Sequence, residues 1–421
     1  MKKNISENIS QIINHMTDDD LYKFTMACAV IDNFPRAIVE YTFIDRDNTV
    51  YPEGFADAVN RQIKLLENLV MTDEEIAFMK KKCYYIPNWF YTYMKGFRYD
   101  AKWAVATQDD DGHLHIKFNG TWANTILLEV KVLAIVSELY YIFTGASQLF
   151  DYNHYYNMSY KKAEKYLTNG CVISEFGTRR RSSFKTQDTA VRAFVDYSKT
   201  HNSTITGSFV GTSNVYLAMK YDLTPIGTMA HEFVCGIAGM YGGPTMANDM
   251  AMRMWQHTYD GDLGVYLYDS YGFDIFALNC SKSFANSFVG LRIDSGDNIE
   301  QLNKICEFYK TKNIDSRTKQ IVFSNGLNVD NAIAINKIAK DVCKPSFGIG
   351  TSITNAWRND CGETYNDIKP MNIVIKLTAI KITESWPYLN DTCKLSEDFG
   401  KHTGKDEVVQ RFMAILPEFQ K

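Results

Sequence analysis

The feature that most limits what this chain can become lies between residues 171 and 350, where six short apolar runs each lead into a turn. The runs are CVISEFG (171–177), GSFVG (207–211), VYLYDS (265–270), FVGLRID (288–294), QIVFSNG (320–326) and SFGIG (346–350). Helical patterns fall between them at 187–198, 245–258, 298–313 and 329–340. Short apolar strands alternating with helices make a parallel sheet covered on both faces. Six or more such units predict an α/β fold with a closed or nearly closed βα barrel.

The flanking segments have a different texture. RAIVEYTFI (36–44), residues 103–107 and HLHIKF (113–118) read as strands. A helical pair separates the first two, with Thr72 and Glu75 forming a capping box. An earlier helix is expected to start at Thr17, its hydroxyl capping the end and Asp18 to Asp20 sitting in the positive first turn. After Pro370, NIVIKLTAI and TCKLSED are strand-like and match the opening region better than the βα units. The expected division is therefore a βα barrel over 146–370 beside a second α+β domain, built from 1–145 and completed by about 371–421.

Composition excludes several classes. Lys and Arg number 45 against 49 Asp and Glu, a balance too even for the broad basic face of a nucleic-acid binder. The nine cysteines are scattered with no CxxC pair, which argues for reduced thiols, a cytoplasmic location and no zinc site. The N-terminus lacks the sustained apolar region of a secretory signal. The most apolar stretch, 126–143, carries Glu129, Lys131 and Glu138, so it reads as a core helix and no membrane partner is expected.

In a βα barrel, chemistry collects at the carboxyl ends of the strands. Here those ends carry Glu175 to Arg181 (EFGTRRR), Gly211 to Asn214, Gly227 to Glu232, Asp269 with Ser270, and Arg292 to Asp297. Two later ends add Ser324 to Gly326 and Gly348 to Ser352. An arginine run can hold a carboxylate or phosphate through bidentate forks; the alternative is a solvated charge run. The Gly and Ser turns at 324–326 and 348–352 let backbone amides approach a phosphate, with a helix start following each. His231 can act as a nitrogen nucleophile that accepts a phosphoryl group, its tautomer fixed by neighbouring carboxylates. Asp294 and Asp297 could meet Mg2+ through water, or cap the helix that starts near Asn298.

The order DLYKFTM, EFGTRRR, GTSNVYLA, GTMAHEF, YGFDIF, RIDSGD, FSNGLN and FGIGTSIT resembles the nicotinate phosphoribosyltransferases over about residues 16 to 396. The resemblance implies an incomplete TIM-like βα barrel of the type II phosphoribosyltransferases. It implies that nicotinate and 5-phosphoribosyl 1-diphosphate give nicotinate mononucleotide and diphosphate, a step of NAD synthesis coupled to ATP through transient phosphorylation of His231. It assigns Tyr22, Phe176, Ser213 and Arg292 to nicotinate. Arg179, Asp294, Ser324, Asn325, Gly326, Gly350 and Thr351 fall to the phosphoribosyl and phosphate groups. Mg2+ would arrive with diphosphate or ATP rather than on direct protein ligands, near Asp294 and Asp297.

In the related nicotinamide enzyme two aromatics from different subunits sandwich the ring, so the resemblance also implies a homodimer with Tyr22 serving the neighbour's site. That enzyme has an acid where this chain has Ser213, and a hydroxyl can donate to a carboxylate. Two alternatives stay open: a nicotinamide phosphoribosyltransferase, or a relative that binds ligand without turnover.

Overall fold

The computed structural model describes residues 9–357, 368–396 and 402–416. Two sheets organise it. The first contains β1 (Ile38–Asp45), β2 (Ala104–Gln108), β3 (Leu114–Thr121), β11 (Ile373–Lys381) and β12 (Asn390–Asp391), in the antiparallel order β12-β11-β1-β3-β2. The α+β part therefore draws on both ends of the chain. β1 alternates buried and half-buried positions along its length, as a strand with one covered face does.

The second sheet is parallel, in the order β6-β5-β4-β10-β9-β8-β7. Its strands are β4 (Val172–Glu175), β5 (Ser208–Thr212), β6 (Thr224–Pro225), β7 (Val265–Leu267), β8 (Gly290–Ile293), β9 (Gln320–Phe323) and β10 (Lys344–Ile349). Six of the seven coincide with the apolar runs; β6, two residues long, has too little sequence to show periodicity. β6 and β7 do not pair, so the barrel is open, as the incomplete TIM-like barrel implied by the resemblance requires. The helix His231–Met240 follows β6 and packs on β11, which brings the two sheets together where the barrel fails to close.

The helix Glu129–Phe143 is buried along most of its length, and its polar residues are matched rather than solvated. Lys131 pairs with Asp19 at 2.6 Å, both fully buried, and Glu129 pairs with Lys23. Among the described residues no helix is long and apolar enough to cross a membrane. The eight cysteines among them are all free thiols.

Two local expectations are corrected. The first long helix starts at Leu21, and Thr17 does not cap it: the Thr17 hydroxyl donates to Glu75 Oε1 at 2.5 Å, 58 residues away. Glu75 nevertheless completes the capping box with Thr72. TCKLSED forms no regular strand over its described residues; Lys394 makes an isolated bridge with Thr403.

Candidate active site

A cavity of about 680 Å³ opens at the carboxyl ends of the parallel strands and is roofed by β11 and the segment after it. His231, Tyr22, Phe176, Ser213, Arg292, Arg179, Asp294, Ser324, Asn325, Gly326, Gly350 and Thr351 all line it. Asp297 does not. It is exposed, and its Oδ1 accepts from the amides of Ile299 and Glu300, so its structural role is to cap the helix Asn298–Thr311.

Phe176 leaves the end of β4 and lies across Gly348 of β10. A Cβ at 348 would sit 2.2 Å from the Phe176 ring, so glycine is needed there for the ring to occupy this position. The Arg292 guanidinium stands 5.8 Å from the ring centroid. Arg292 is fixed by Nη2 donating to Asp294 Oδ1 (2.7 Å) and Nε donating to Ser324 Oγ (2.8 Å), while Ser324 donates to the same carboxylate at 2.6 Å. Burial alone would raise the Asp294 pKa, but Arg292 and then His231 outweigh it and hold the carboxyl well below the usual range.

The three arginines diverge. Arg181 is buried and donates bidentately to Asp18 (2.6 and 2.8 Å) and to Gln187 (3.0 Å), so it faces away from any ligand. Arg180 is held by the Ile373 carbonyl and Asn372 Oδ1, leaving Arg179 turned to the cavity without an ion-pair partner among the described residues. The glycine turns also differ from expectation. The helix after β9 starts only at Val329 and is capped by Asn328, while the one after Gly350 is the four-residue turn Thr351–Thr354. The loops can offer a phosphate their own amides and hydroxyls, with Gly326 at φ +62, but little helix dipole.

His231 is the first residue of its helix and is nearly buried. Its Nδ1 meets Ser270 Oγ at 3.0 Å. Its Nε2 faces Lys394 Nζ at 2.9 Å, Asp294 Oδ2 at 3.3 Å and Asp269 Oδ1 at 3.6 Å. Asp269 is anchored by Ser295 through its other oxygen, and its Oδ1 is buried with no hydrogen-bond partner. Burial and then Lys394 lower the His231 pKa against the pull of the two carboxylates, which favours a neutral ring.

The following residue, Glu232, accepts from Tyr41 (2.5 Å), Trp122 (2.8 Å) and Lys23 (2.7 Å). Three donors on one half-buried carboxylate fix the start of the helix that carries His231.

Several cavity residues were not expected. Lys376 on β11 and Lys394 come from the returning tail, and Arg46 follows β1. The Lys376 pKa is pushed down to about 8, first by burial, against Glu129, with Arg179 and Lys394 adding to it. The one available signal was a single cation inside the apolar run NIVIKLTAI. Tyr22 and Phe176 both line this cavity.

Two family models match the chain. The nicotinate phosphoribosyltransferase N-terminal domain covers residues 17–137 and the nicotinate phosphoribosyltransferase (NAPRTase) family covers 171–411. The chain belongs to the nicotinate phosphoribosyltransferase family. A nicotinate phosphoribosyltransferase of Desulforapulum autotrophicum is 36% identical, over 96% of this chain and 99% of its own. That of Methanosarcina acetivorans is 33% identical, over 95% and 97%. The crystal structure of nicotinate phosphoribosyltransferase from Porphyromonas gingivalis superposes with a TM-score of 0.88 at 37% identity, covering 96% of this chain and 99% of that one. Membership of the nicotinate phosphoribosyltransferase family accounts for both the half-barrel and the second sheet.

Proposed function

We propose that the protein transfers the phosphoribosyl group of 5-phosphoribosyl 1-diphosphate to the ring nitrogen of nicotinate, giving nicotinate mononucleotide and diphosphate for NAD synthesis, with ATP hydrolysis coupled through His231. The observation that carries this reading is His231 set between Lys394 and Asp294, in one cavity with Phe176, Tyr22 and the glycine loops.

In the coupling step, Nε2 of His231 attacks the γ-phosphorus of ATP, an N–P bond forms and the P–O bond to ADP breaks; water later releases phosphate. Lys394 beside Nε2 offsets the charge of the incoming phosphoryl group. In the transfer step, the pyridine nitrogen attacks C1 of the ribose as the C1–O bond to diphosphate breaks. The ring needs no covalent help, so holding it between Phe176 and Tyr22 and stabilising charge dominate. Arg292 faces the nicotinate carboxylate, while Arg179 and the turns at Ser324, Asn325, Gly326, Gly350 and Thr351 take the phosphoribosyl group.

The residues fit Mg2+ as a companion of the substrate. Asp294 already accepts from Arg292 and Ser324 and faces His231, so it leaves room for an ion held mainly by phosphate oxygens and water. When bound, Mg2+ neutralises charge on the departing diphosphate.

A cytoplasmic homodimer with shared active sites is part of the reading. The experiment is an omission assay on purified protein: nicotinate mononucleotide should form only with nicotinate and the diphosphate sugar present, and ATP should stimulate it. Preference for nicotinamide in a competition assay would replace this reading with the amide enzyme, and no product with either ring would leave a binding protein.

A further inference from the structure

Three consecutive acids, Asp18, Asp19 and Asp20, precede the helix Leu21–Asn33, and all are buried. Two have a full counter-charge: Asp18 takes both forks of Arg181, and Asp19 takes Lys131 at 2.6 Å. Asp20 has hydroxyls instead. Its Oδ1 meets Ser213 Oγ at 2.7 Å, and the Thr178 hydroxyl is its other side-chain partner. Among the described residues it has no ion-pair partner, and it makes no side-chain bond to the helix end that follows it. It lines the cavity beside Tyr22 and Ser213.

A buried carboxylate surrounded by hydroxyls pays heavily for its charge, whereas a neutral carboxyl does not. The charged and titratable groups acting on Asp20 are Asp19 on its own loop, Tyr22 on the helix, Glu175 at the end of β4, and Arg179 and Arg181 beyond it. Burial outweighs the hydroxyls and the two arginines, and Arg181 is already matched by Asp18; the Asp20 pKa is raised.

The proton on Asp20 decides what Ser213 offers to the cavity, because a hydroxyl has one proton to give. With Asp20 ionised, Ser213 donates to it and turns only lone pairs to the ligand, which suits an amide. With Asp20 neutral, the carboxyl O–H donates to Ser213 Oγ, and Ser213 is free to donate to a carboxylate.

We propose that Asp20 is a specificity-determining acid that, through its hydrogen bond to Ser213, sets the polarity of that hydroxyl and thereby the choice between a ring carboxylate and the corresponding amide. The inference rests on reading the cavity as a nicotinate site.

The test is kcat/KM for nicotinate and for nicotinamide in the full-length wild type and in Asp20→Asn, from about pH 5.5 to 9, where the substrate carboxylate is ionised. The wild-type preference for nicotinate should fall about tenfold as Asp20 ionises, through KM rather than kcat. Asp20→Asn, whose amide donates to Ser213 at every pH, should keep the low-pH preference throughout. A wild-type preference that is flat with pH, or a variant that retains the wild-type profile or loses the preference, overturns the proposal. Absence of nicotinate turnover in the wild type at any pH would instead overturn the functional reading beneath it.

Should Asp20→Asn not fold, calorimetric binding of nicotinate in buffers of different ionisation heat gives the second measurement. Above the Asp20 titration the wild type should take up a proton per nicotinate bound and Ser213→Ala should not. A wild type that takes up none across the range also overturns the proposal.

Discussion

Nζ of Lys394 lies 2.9 Å from Nε2 of His231, closer than either carboxylate that faces the same ring. An ammonium group has only protons to give, so this contact requires a lone pair on Nε2 and puts the ring proton on Nδ1, towards Ser270. On the proposed function, Nε2 is the nitrogen that would take the phosphoryl group.

Replacing Lys394 by Met should change the pH dependence as well as the rate. The cation lowers the His231 pKa, so its removal raises that pKa and leaves more imidazolium at a given pH. The acidic limb of ATP-stimulated synthesis should move to higher pH, and the stimulated rate should fall about tenfold or more. A pH–rate profile with and without ATP checks both.

His231→Asn should abolish stimulation by ATP while uncoupled synthesis persists, since the transfer step uses the ring-holding and phosphate-binding residues and not the histidine nitrogen. Product formation with and without ATP, together with labelling by γ-phosphate-labelled ATP, reads the outcome; unchanged stimulation would refute the phosphohistidine.

Mixing Tyr22→Ala subunits with Arg292→Ala subunits should restore part of the activity, because in a dimer with shared sites one of the two mixed cavities carries neither change. Activity of the mixture no higher than the sum of its parts would count against shared cavities.

Asp18→Ala should destabilise the fold by about 3 to 5 kcal/mol, since it leaves Arg181 buried and unmatched. Arg181→Lys should rescue little, because one ammonium cannot reproduce the two parallel bonds at 2.6 and 2.8 Å. Chemical denaturation midpoints measure both variants.

These variants also mark what the sequence made legible. The strand ends were readable because apolar run, turn and helix recur, and they hold eleven of the residues that line one cavity; Tyr22, on the first long helix, came from the resemblance alone. The arginine run was readable as charge but not as three separate settings: the short 3-10 turn Thr178–Arg180 fans the side chains apart, leaving Arg179 in the cavity, Arg180 at its wall against Asn372 and Arg181 turned inward to Asp18. Thr17 looked like a cap because its true partner, Glu75, sits 58 residues on. Lys376 and Lys394 were hidden for a related reason. Lys376 belongs to the other sheet and Lys394 follows it, and nothing local announces that the tail reaches across to His231. The open barrel likewise depends on which strands fail to pair, a property no single segment contains.

The pairing of β1 with β11 joins residues as far apart as Glu40 and Thr378, 338 positions along the chain. Synthesis runs from the amino end, so on the ribosome β1 has one edge paired with β3 and the other bare until residues 373–381 emerge. Lys376 and Lys394 arrive with them. A nascent chain can complete all seven parallel strands and still lack the cation beside His231, so this corner of the cavity is assembled only when the tail arrives.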